Sequence, residues 1–315
     1  MSDRLKIKGG IWGVIVGDSF GFTYQMASRC FERDFKEIGE ILAPHGLWSD
    51  DSSLTLATAD ALTKGYNISR IAENFVKWLY EGKFTPRGFS FDHGRTTRSA
   101  IKRIADGIPP LEAGGSDEWD NGNGSLMRIL PATFYAYFRI NTEDERLEMI
   151  HEVSKITHAH PRTLIGCGIY SHVIWNILDG MDKMEAYYNA IEKCEKVYSR
   201  GFYSDERKHY ERILNGNIHD LDRSDIRSSG YIVHTLEASL WAFLKTDNFE
   251  EAVKEVVSLG EDADTTGAVT GGLAGTYYGL EAIPRSWINR IEAKEKVESI
   301  IKSFIESLPI DSGYR

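Results

Sequence analysis

Two short acidic segments, far apart in the chain, have the residue types and spacing of a metal-binding site. In the first, Asp50 and Asp51 are adjacent and follow Ser49, directly before an apolar helical run. Two neighbouring ionised carboxylates repel each other, and a divalent cation such as Mg²⁺ or Mn²⁺, which prefers oxygen ligands, would offset that repulsion. The alternative is an ordinary helix cap, because serine and aspartate are both favoured immediately before a helix.

The second acidic segment lies in GEDADTTGAVTGGLAG (260–275). Asp262 and Asp264 are two residues apart, so they would diverge on a regular helix, but on a loop that enters a helix both can turn towards one point. The hydroxyl group of Thr265 could join them. Helix capping is again the alternative, since carboxylates are favourable at a helix N-terminus. Two such segments, each opening a helix, favour a shared divalent-metal site that forms only when the chain folds.

Helices are predicted to position these segments. Thr142, Asp182 and Asn248 each precede a glutamate by three residues, the arrangement of a capping box, and each is followed by apolar residues at helical spacing. The first of these helices should run towards Ile156. Apolar periodicity predicts further helices over 69–80, 162–178, 232–245 and 288–308. With no alternating strand run, linker or repeat, the sequence predicts an all-α fold and one domain over residues 1–315.

Two series of glycines recur every four residues and so lie along one face of a helix. Glycine costs about 1 kcal/mol relative to alanine inside a helix, so each series suggests a compensating close approach between helices. We therefore predict that the first and penultimate helices lie in the core, with contact between the two as one arrangement. The alternative is that the glycines are unrelated helix breakers. The series are Gly9, Gly13, Gly17, Gly21 and Gly267, Gly271, Gly275, Gly279.

Charge and cysteine content restrict the classes of partner and compartment. The chain has 37 basic and 47 acidic side chains, a net charge of −10, which argues against a nucleic-acid partner. An anionic small ligand stays possible, because helix N-termini and metal ions supply local positive potential. Cys30, Cys167 and Cys194 form no CxxC pair, which is typical of a reducing compartment and predicts a cytoplasmic protein. We predict neither an export signal nor a membrane span.

Six motifs occur in order along the chain: GVIVGDSFG (13–21), WSDDS (48–52), NGNGSLMR (121–128), THAHP (157–161), GYIVHTLEASLWAF (230–243) and LGEDADTTGAVTGGLAGTYYG (259–279). In this order they resemble the motifs of the ADP-ribosylglycohydrolase family, and the resemblance extends from about residue 8 to residue 290. It implies a compact orthogonal helix bundle with a central two-metal site. It also implies a hydrolase that removes N- or O-linked ADP-ribose from a protein side chain.

The resemblance also implies which residues hold two divalent cations, Mg²⁺ or Mn²⁺. Ser49 is the first of these residues along the chain; the family commonly has threonine at this position, and serine keeps the hydroxyl group. Asp92, in FDHGRTTRSAI (91–101), matches a carboxylate that assists catalysis beside Asp51 and Asp264. For Asp92, a helix cap before Thr96 is the alternative. The implied metal ligands are Ser49, Asp50, Asp51, Asp262, Asp264 and Thr265.

The resemblance also implies which residues contact the substrate. The NGNGS loop, which comprises Asn121, Gly122, Asn123, Gly124 and Ser125, resembles the segment that receives the diphosphate and distal ribose. Its bare backbone N–H groups suit phosphate oxygens, and the alternative is a simple glycine turn.

Three further positions belong to the predicted substrate site, and Gln25 is a fourth. His158 matches a ligand-contacting histidine, with a core or helix-end role as the alternative, whereas His160, before Pro161, predicts a helix end. Tyr231 and Ile232 match the adenosine side of the cleft, with ordinary core packing as the alternative.

Gln25 stands where several family members have a glutamate, and glutamine cannot ionise or move a proton as glutamate does. If that glutamate is essential in the relevant part of the family, this chain uses Asp92 instead, prefers another linkage, or is inactive. The expected partner is an ADP-ribosylated protein or another ADP-ribose conjugate. Alternative functions are hydrolysis of another ADP-ribose compound and non-catalytic binding of ADP-ribose by a structural homologue.

Overall fold

Helices account for the regular structure of this chain. The computed structural model describes residues 1–22, 24 and 45–310, and this part contains no β-strand, which confirms the all-α fold class. Its helices of eight residues or more are α1 (Asp3–Phe22), α2 (Asp50–Leu62), α3 (Ile68–Glu81), α4 (Arg95–Ala105), α5 (Leu130–Arg139), α6 (Glu143–Lys155), α7 (Pro161–Leu178), α8 (Lys183–Tyr198), α9 (Ile232–Lys245), α10 (Phe249–Val257), α11 (Ala263–Tyr278) and α12 (Lys294–Ser307). Single helical turns cover Pro110–Ala113, Ser204–Arg207, Glu211–Leu214 and Arg285–Ile288.

Capping residues start three of these helices where the sequence predicts. The side chains of Thr142, Asp182 and Asn248 accept hydrogen bonds from backbone N–H groups in the first turns of α6, α8 and α10. Each bond satisfies a donor that the helix itself leaves unpaired. The predicted helices over 69–80, 162–178 and 232–245 are also confirmed, as α3, α7 and α9, within one residue at each end.

The last helix starts later than predicted, at Lys294 instead of residue 288. The backbone N–H of Glu292 donates to Gly46 O at 2.9 Å, and Trp48 Nε1 donates to Glu292 O at 2.9 Å. Ala293 then has a φ of +52°, which a continuous right-handed helix does not allow. A tertiary contact with a distant segment therefore prevents the helix from starting where the apolar periodicity predicts it.

His160 was predicted at a helix end, and this prediction is wrong. His160 is the N-cap of α7, and its Nδ1 accepts a hydrogen bond from the backbone N–H of Arg162 at 3.2 Å. Pro161 occupies the first position of that helix, where its missing N–H costs nothing. The proline therefore belongs to the start of the following helix.

The two glycine series bring α1 and α11 into backbone contact, as one predicted arrangement requires. A Cβ atom on Gly13 would lie 2.0 Å from Gly271 O, and one on Gly17 would lie 2.0 Å from Gly267 O. Only glycine allows the two helices to approach so closely. Gly279 differs from the rest of its series because it ends α11, with a φ of +82°.

Burial separates the central helices from the outer ones. α1, α2, α7 and α11 are buried around almost their whole circumference, whereas α3 and α12 bury only one face. The N-terminal ends of α2 and α11 carry the two acidic segments, so both segments open from the core onto one surface. Within the part of the chain that the structure describes, no helix is both long and apolar enough to cross a membrane.

Candidate functional site

The two acidic segments meet at the N-terminal ends of α2 and α11. Thr265 Oγ1 donates a hydrogen bond to Asp51 Oδ2 at 3.4 Å. One carboxylate oxygen from each of Asp18, Asp51 and Asp264 lies within 4.8 Å of the others. Helix N-termini attract negative charge, but three carboxylates at this separation exceed what two helix ends compensate. The fold therefore assembles an anionic centre from residues that are distant in sequence.

Helix capping accounts for Ser49 but not for the aspartates. Ser49 is the N-cap of α2: its hydroxyl oxygen accepts from the backbone N–H of Asp51 at 3.3 Å, and the hydroxyl donates to Asp51 Oδ2 at 2.9 Å. Asp262 occupies the N-cap position of α11, yet its side chain makes no capping bond. Instead, Asp262 Oδ2 accepts a hydrogen bond from Asn123 Nδ2 at 2.6 Å.

The raised pKa values of the buried carboxylates indicate that this centre requires a compensating positive charge. Burial raises the pKa values of Asp50, Asp51 and Asp264 well above the ordinary range, and the charges of neighbouring carboxylates raise them further. Among the described residues, Asp51 Oδ1 is buried and has no hydrogen-bond partner. A buried carboxylate is costly unless it is paired or coordinates a metal. This set of oxygen donors therefore suits a divalent cation such as Mg²⁺ or Mn²⁺.

Asp18 is a member of this centre that the sequence analysis did not identify. Its buried carboxylate accepts hydrogen bonds from the backbone N–H groups of Ser49 and Ser52 and from the hydroxyl of Ser52. Burial raises the pKa of Asp18 from 3.8 to about 6, although these hydrogen bonds lower it. Asp18 therefore holds the N-terminus of α2 against α1. The signal was present in GVIVGDSFG, where Asp18 is the single charged residue of an apolar, glycine-rich motif.

A cleft of about 340 Å³ opens above the acidic centre. Its floor is acidic, and the NGNGS loop (121–125), called the glycine loop below, forms one wall. The sequence pattern did not mark Arg95, Thr97 and Trp119 as lining residues, because arginine, threonine and tryptophan carry no recognisable chemistry by themselves at these positions. The cleft is lined by Asp50, Asp92, Gly94, Arg95, Thr96, Thr97, Trp119, Gly122, Asn123, Gly124, Met127, His158, Gly230, Asp262, Asp264 and Thr265.

Asp92 lies at the edge of the cleft in a strained backbone conformation. Its φ is +52°, in the left-handed region that aspartate and asparagine tolerate better than most residues. The negative charge of Asp92 contributes to the raised pKa values of Asp50, Asp262 and Asp264. The N-cap of α4 is Gly94, so the alternative role of Asp92 as that cap is excluded. Strain of this kind concentrates at functional sites.

The glycine loop is attached to the segment that precedes α9. The backbone N–H of Asn123 donates to Gly230 O at 3.0 Å, and that of Ile232 donates to Asn121 O at 3.1 Å. Gly122 and Gly124 face the cleft. A Cβ atom on Gly124 would lie 2.8 Å from Cε1 of His158, so glycine is required for the loop to pass this close to the imidazole ring.

Several predicted substrate residues point away from the cleft. The hydroxyl of Ser125 lies 3.5 Å from Cys167 Sγ in the core, and Ile232 is buried against Gly166 of α7. Tyr231 lines a neighbouring pocket of about 920 Å³. Asn121 is buried, and its Nδ2 donates to Glu118 O at 2.9 Å. Gln25 lies outside the described residues.

Glu118, His160 and Glu206 form a second group of possible metal ligands. The two carboxylates of this group are already paired with the guanidinium of Arg162. The guanidinium of Arg162 donates to both oxygens of Glu118, at 2.9 and 3.1 Å, and to Glu206 at 2.6 Å. The same guanidinium lies 5.7 Å from the ring centre of Tyr231. The group is therefore an ion-pair network centred on Arg162.

Comparisons with known proteins agree on one family. A family model described as ADP-ribosylglycohydrolase matches residues 1–311. ADP-ribosylarginine hydrolase Tri1 of Serratia proteamaculans is 27% identical, over 96% of this chain and 80% of the relative. ADP-ribosyl-[dinitrogen reductase] glycohydrolase of Rhodospirillum rubrum is 28% identical, over 95% and 94%. A solved structure of an ADP-ribosylglycohydrolase-related protein complex superposes with a TM-score of 0.77 at 28% identity, over 97% and 99%.

Proposed function

The chain belongs to the ADP-ribosylglycohydrolase family, and from that premise we propose that it hydrolyses the bond between ADP-ribose and a protein side chain with the help of two divalent cations. The observation that carries this proposal is the convergence of Asp51 and Asp264, from opposite ends of the chain, beneath a cleft large enough for a sugar. Capping and core packing do not require such a convergence.

The cations would be Mg²⁺ or Mn²⁺. When bound, they supply Lewis acidity for the hydroxyl groups of the distal ribose and for water. The hydroxyl of Ser49 and that of Thr265 flank the carboxylates and already interact with Asp51. In this proposal the ligands are Ser49, Asp50, Asp51, Asp262, Asp264 and Thr265.

The chain's own residues bind the substrate and move the proton. Cleavage at the anomeric carbon builds positive, oxocarbenium-like charge on the ribose. The backbone at Gly122 and Gly124 can approach phosphate oxygens because no side chain intervenes. Asp92 lies at the rim of the same cleft and in this proposal accepts the proton of the attacking water.

Defined substrates test the reaction and its acceptor. Two relatives are named for ADP-ribosylarginine and for ADP-ribosylated dinitrogen reductase, so an arginine-linked ADP-ribosylated protein is the first substrate to assay, followed by a serine-linked one. We expect release of free ADP-ribose that depends on Mg²⁺ or Mn²⁺ and stops with EDTA. Calorimetric binding of ADP-ribose without turnover of any conjugate would contradict the hydrolase and support a binding protein.

Asp92→Asn is expected to lower kcat by about 100-fold, the usual contribution of a general base, with ADP-ribose affinity changed less than about threefold. Asparagine has the same size and tolerates the same positive φ, so the change removes the charge and little else. Steady-state kinetics and calorimetry measure the two effects. The control is Asp106→Asn, an exposed aspartate at the end of α4, which should behave as wild type; equal kcat values for the two variants would exclude Asp92 as the base.

Divalent cations are expected to stabilise the protein most at neutral and alkaline pH. For Asp18 the pKa rises from 3.8 to about 6 on folding, and those of Asp50, Asp51 and Asp264 rise as well. The folded state therefore binds more protons than the unfolded state, and the cluster becomes destabilising as pH increases from about 4 through 6 and beyond.

Thermal unfolding in EDTA measures this effect: the contribution of the cluster should make Tm lower at pH 8 than at pH 6. At pH 8, each bound Mg²⁺ or Mn²⁺ ion, at about 100 times its Kd, adds about 2.7 kcal/mol, or about 4 °C in Tm for a chain of this size. The same titration on Asp264→Asn should give a much smaller increase. A Tm that does not respond to either ion would contradict the metal site.

A further inference from the structure

Arg128 is a fully buried cation that the proposed reaction does not use. Within the described residues its hydrogen-bond partners are the carbonyl of Val153 and the hydroxyl of Thr157, not a carboxylate. Its guanidinium also lies 4.5 Å from the ring centre of Phe75. Burial lowers the pKa of Arg128 only to about 10, so the side chain stays charged at neutral pH. An unpaired buried charge is costly, which indicates that this arginine has a particular role.

The contacts of Arg128 lead directly to His158. Arg128 Nη2 donates to Thr157 Oγ1 at 2.7 Å, and Thr157 Oγ1 lies 2.8 Å from His158 Nδ1. A guanidinium can only donate hydrogen bonds, whereas a hydroxyl group has one hydrogen to donate and two lone pairs to accept. The oxygen of Thr157 therefore accepts from Arg128, and its single hydrogen remains available.

Only one proton arrangement satisfies all three groups. Thr157 is fully buried, and in the described part of the chain Arg128 and His158 are the two hydrogen-bond partners of its side chain. If His158 Nδ1 carried a proton, the hydroxyl hydrogen would be buried without an acceptor, which native proteins avoid. The hydroxyl therefore donates to Nδ1, and the imidazole proton resides on Nε2.

The protonated nitrogen faces the cleft. His158 Nε2 lies 3.6 Å from the position of a Cβ atom on Gly122 and 3.3 Å from one on Gly124, so it reaches the glycine loop where side chains are missing. No group among the described residues hydrogen bonds to it. Burial, and after it the charge of Arg128, lowers the pKa of His158 to about 3. The ring is therefore neutral as well as oriented.

We propose that Arg128 and Thr157 are positioning residues that fix His158 as its Nε2–H tautomer, so that it donates one hydrogen bond to an oxygen of the ADP-ribose bound along the glycine loop. This inference rests on the proposed function for the identity of the ligand, but not for the state of the histidine. The backbone supports the arrangement, since Ser154 Oγ donates to His158 O at 3.0 Å.

The test compares the wild type with Thr157→Val, which keeps the shape of the side chain and removes the hydroxyl, and with Thr157→Ser, which keeps the hydroxyl. Long-range ¹⁵N–¹H NMR of ¹⁵N-histidine-labelled protein reports the tautomer directly, and the His158→Gln variant identifies the signal. We expect the Nε2–H tautomer in the wild type and in Thr157→Ser, and a population protonated on Nδ1 in Thr157→Val.

Calorimetry with ADP-ribose provides the second measurement. Thr157→Val should bind ADP-ribose about tenfold more weakly, the loss expected for one hydrogen bond to a charged or polar ligand oxygen, whereas Thr157→Ser should bind within about twofold of the wild type. An Nδ1–H tautomer in the wild type, or unchanged tautomer and affinity in Thr157→Val, would overturn the inference. A wild type that shows the Nε2–H tautomer but binds no ADP-ribose would refute the proposed function while supporting the arrangement of Arg128, Thr157 and His158.

Discussion

Asp264→Asn is expected to lower kcat for ADP-ribose release by about 1000-fold or more. Asp264 is buried in the acidic centre, close to Asp18 and Asp51, and asparagine at this position cannot supply the negative charge that a divalent cation requires. Metal-assisted catalysis contributes several kcal/mol to transition-state stabilisation, and 1.36 kcal/mol corresponds to one decade in rate. Initial rates at saturating substrate, measured over a range of Mg²⁺ and Mn²⁺ concentrations, test this expectation.

Loss of activity in this variant should not arise from unfolding. Removing one of several mutually repelling carboxylates relieves part of the burial cost, so the metal-free variant should have a Tm equal to or above that of the metal-free wild type. The matched control is Asp144→Asn, an exposed aspartate in the first turn of α6. Activity of Asp264→Asn close to that of this control would contradict the assignment of Asp264 as a metal ligand.

Gly13→Ala is expected to destabilise the fold by about 3 kcal/mol or more, at the upper end of the effects measured for overpacking. The added methyl group would lie 2.0 Å from Gly271 O, and the obstacle is backbone on both sides, so the helices α1 and α11 must separate. Helix propensity alone predicts the opposite sign, a gain of about 1 kcal/mol for alanine over glycine. The free energy of unfolding, measured in urea by circular dichroism, distinguishes the loss expected from overpacking from the gain expected from helix propensity.

Gly10→Ala on the same helix provides the comparison. Its added methyl group would meet Thr276 Oγ1 at 2.5 Å and Phe134 Cζ at 2.8 Å. These atoms belong to side chains that can shift, so we expect a smaller loss of stability than for Gly13→Ala. A Gly13→Ala protein as stable as the wild type would show that the backbone contact is not required.

The glycine contact matters for the site as well as for stability. A Cβ atom on Gly21 would lie 2.1 Å from Ala263 O and 2.6 Å from the Cα of Asp264. The contact therefore places Asp264, in the first turn of α11, beside the end of α1 that carries Asp18. We expect a larger residue at Gly17 or Gly21 to separate these carboxylates, because its Cβ atom would meet the backbone of α11.

Local signals were sufficient to predict most helices and the residue types of the acidic centre. Thr142, Asp182 and Asn248 cap helices through bonds to residues only two or three positions away, so a short stretch of sequence contains the whole cause. The start of α12 could not be predicted in this way, because the bond between Glu292 and Gly46 joins segments far apart in the chain.

By itself, the sequence determined that the fold is helical, that two acidic segments open helices, and that two glycine series require close helix contacts. These properties depend on residue type and on spacing along one helix. Only the tertiary structure decided that Asp18 joins the acidic centre, that Arg95 and Trp119 line the cleft, and that Thr157 connects Arg128 with His158 through hydrogen bonds. Such pairings depend on the positions of helices in space. Hydrogen bonds and charge interactions form only across distances of a few ångströms, and the separation of two residues along the sequence does not predict the distance between them in the fold.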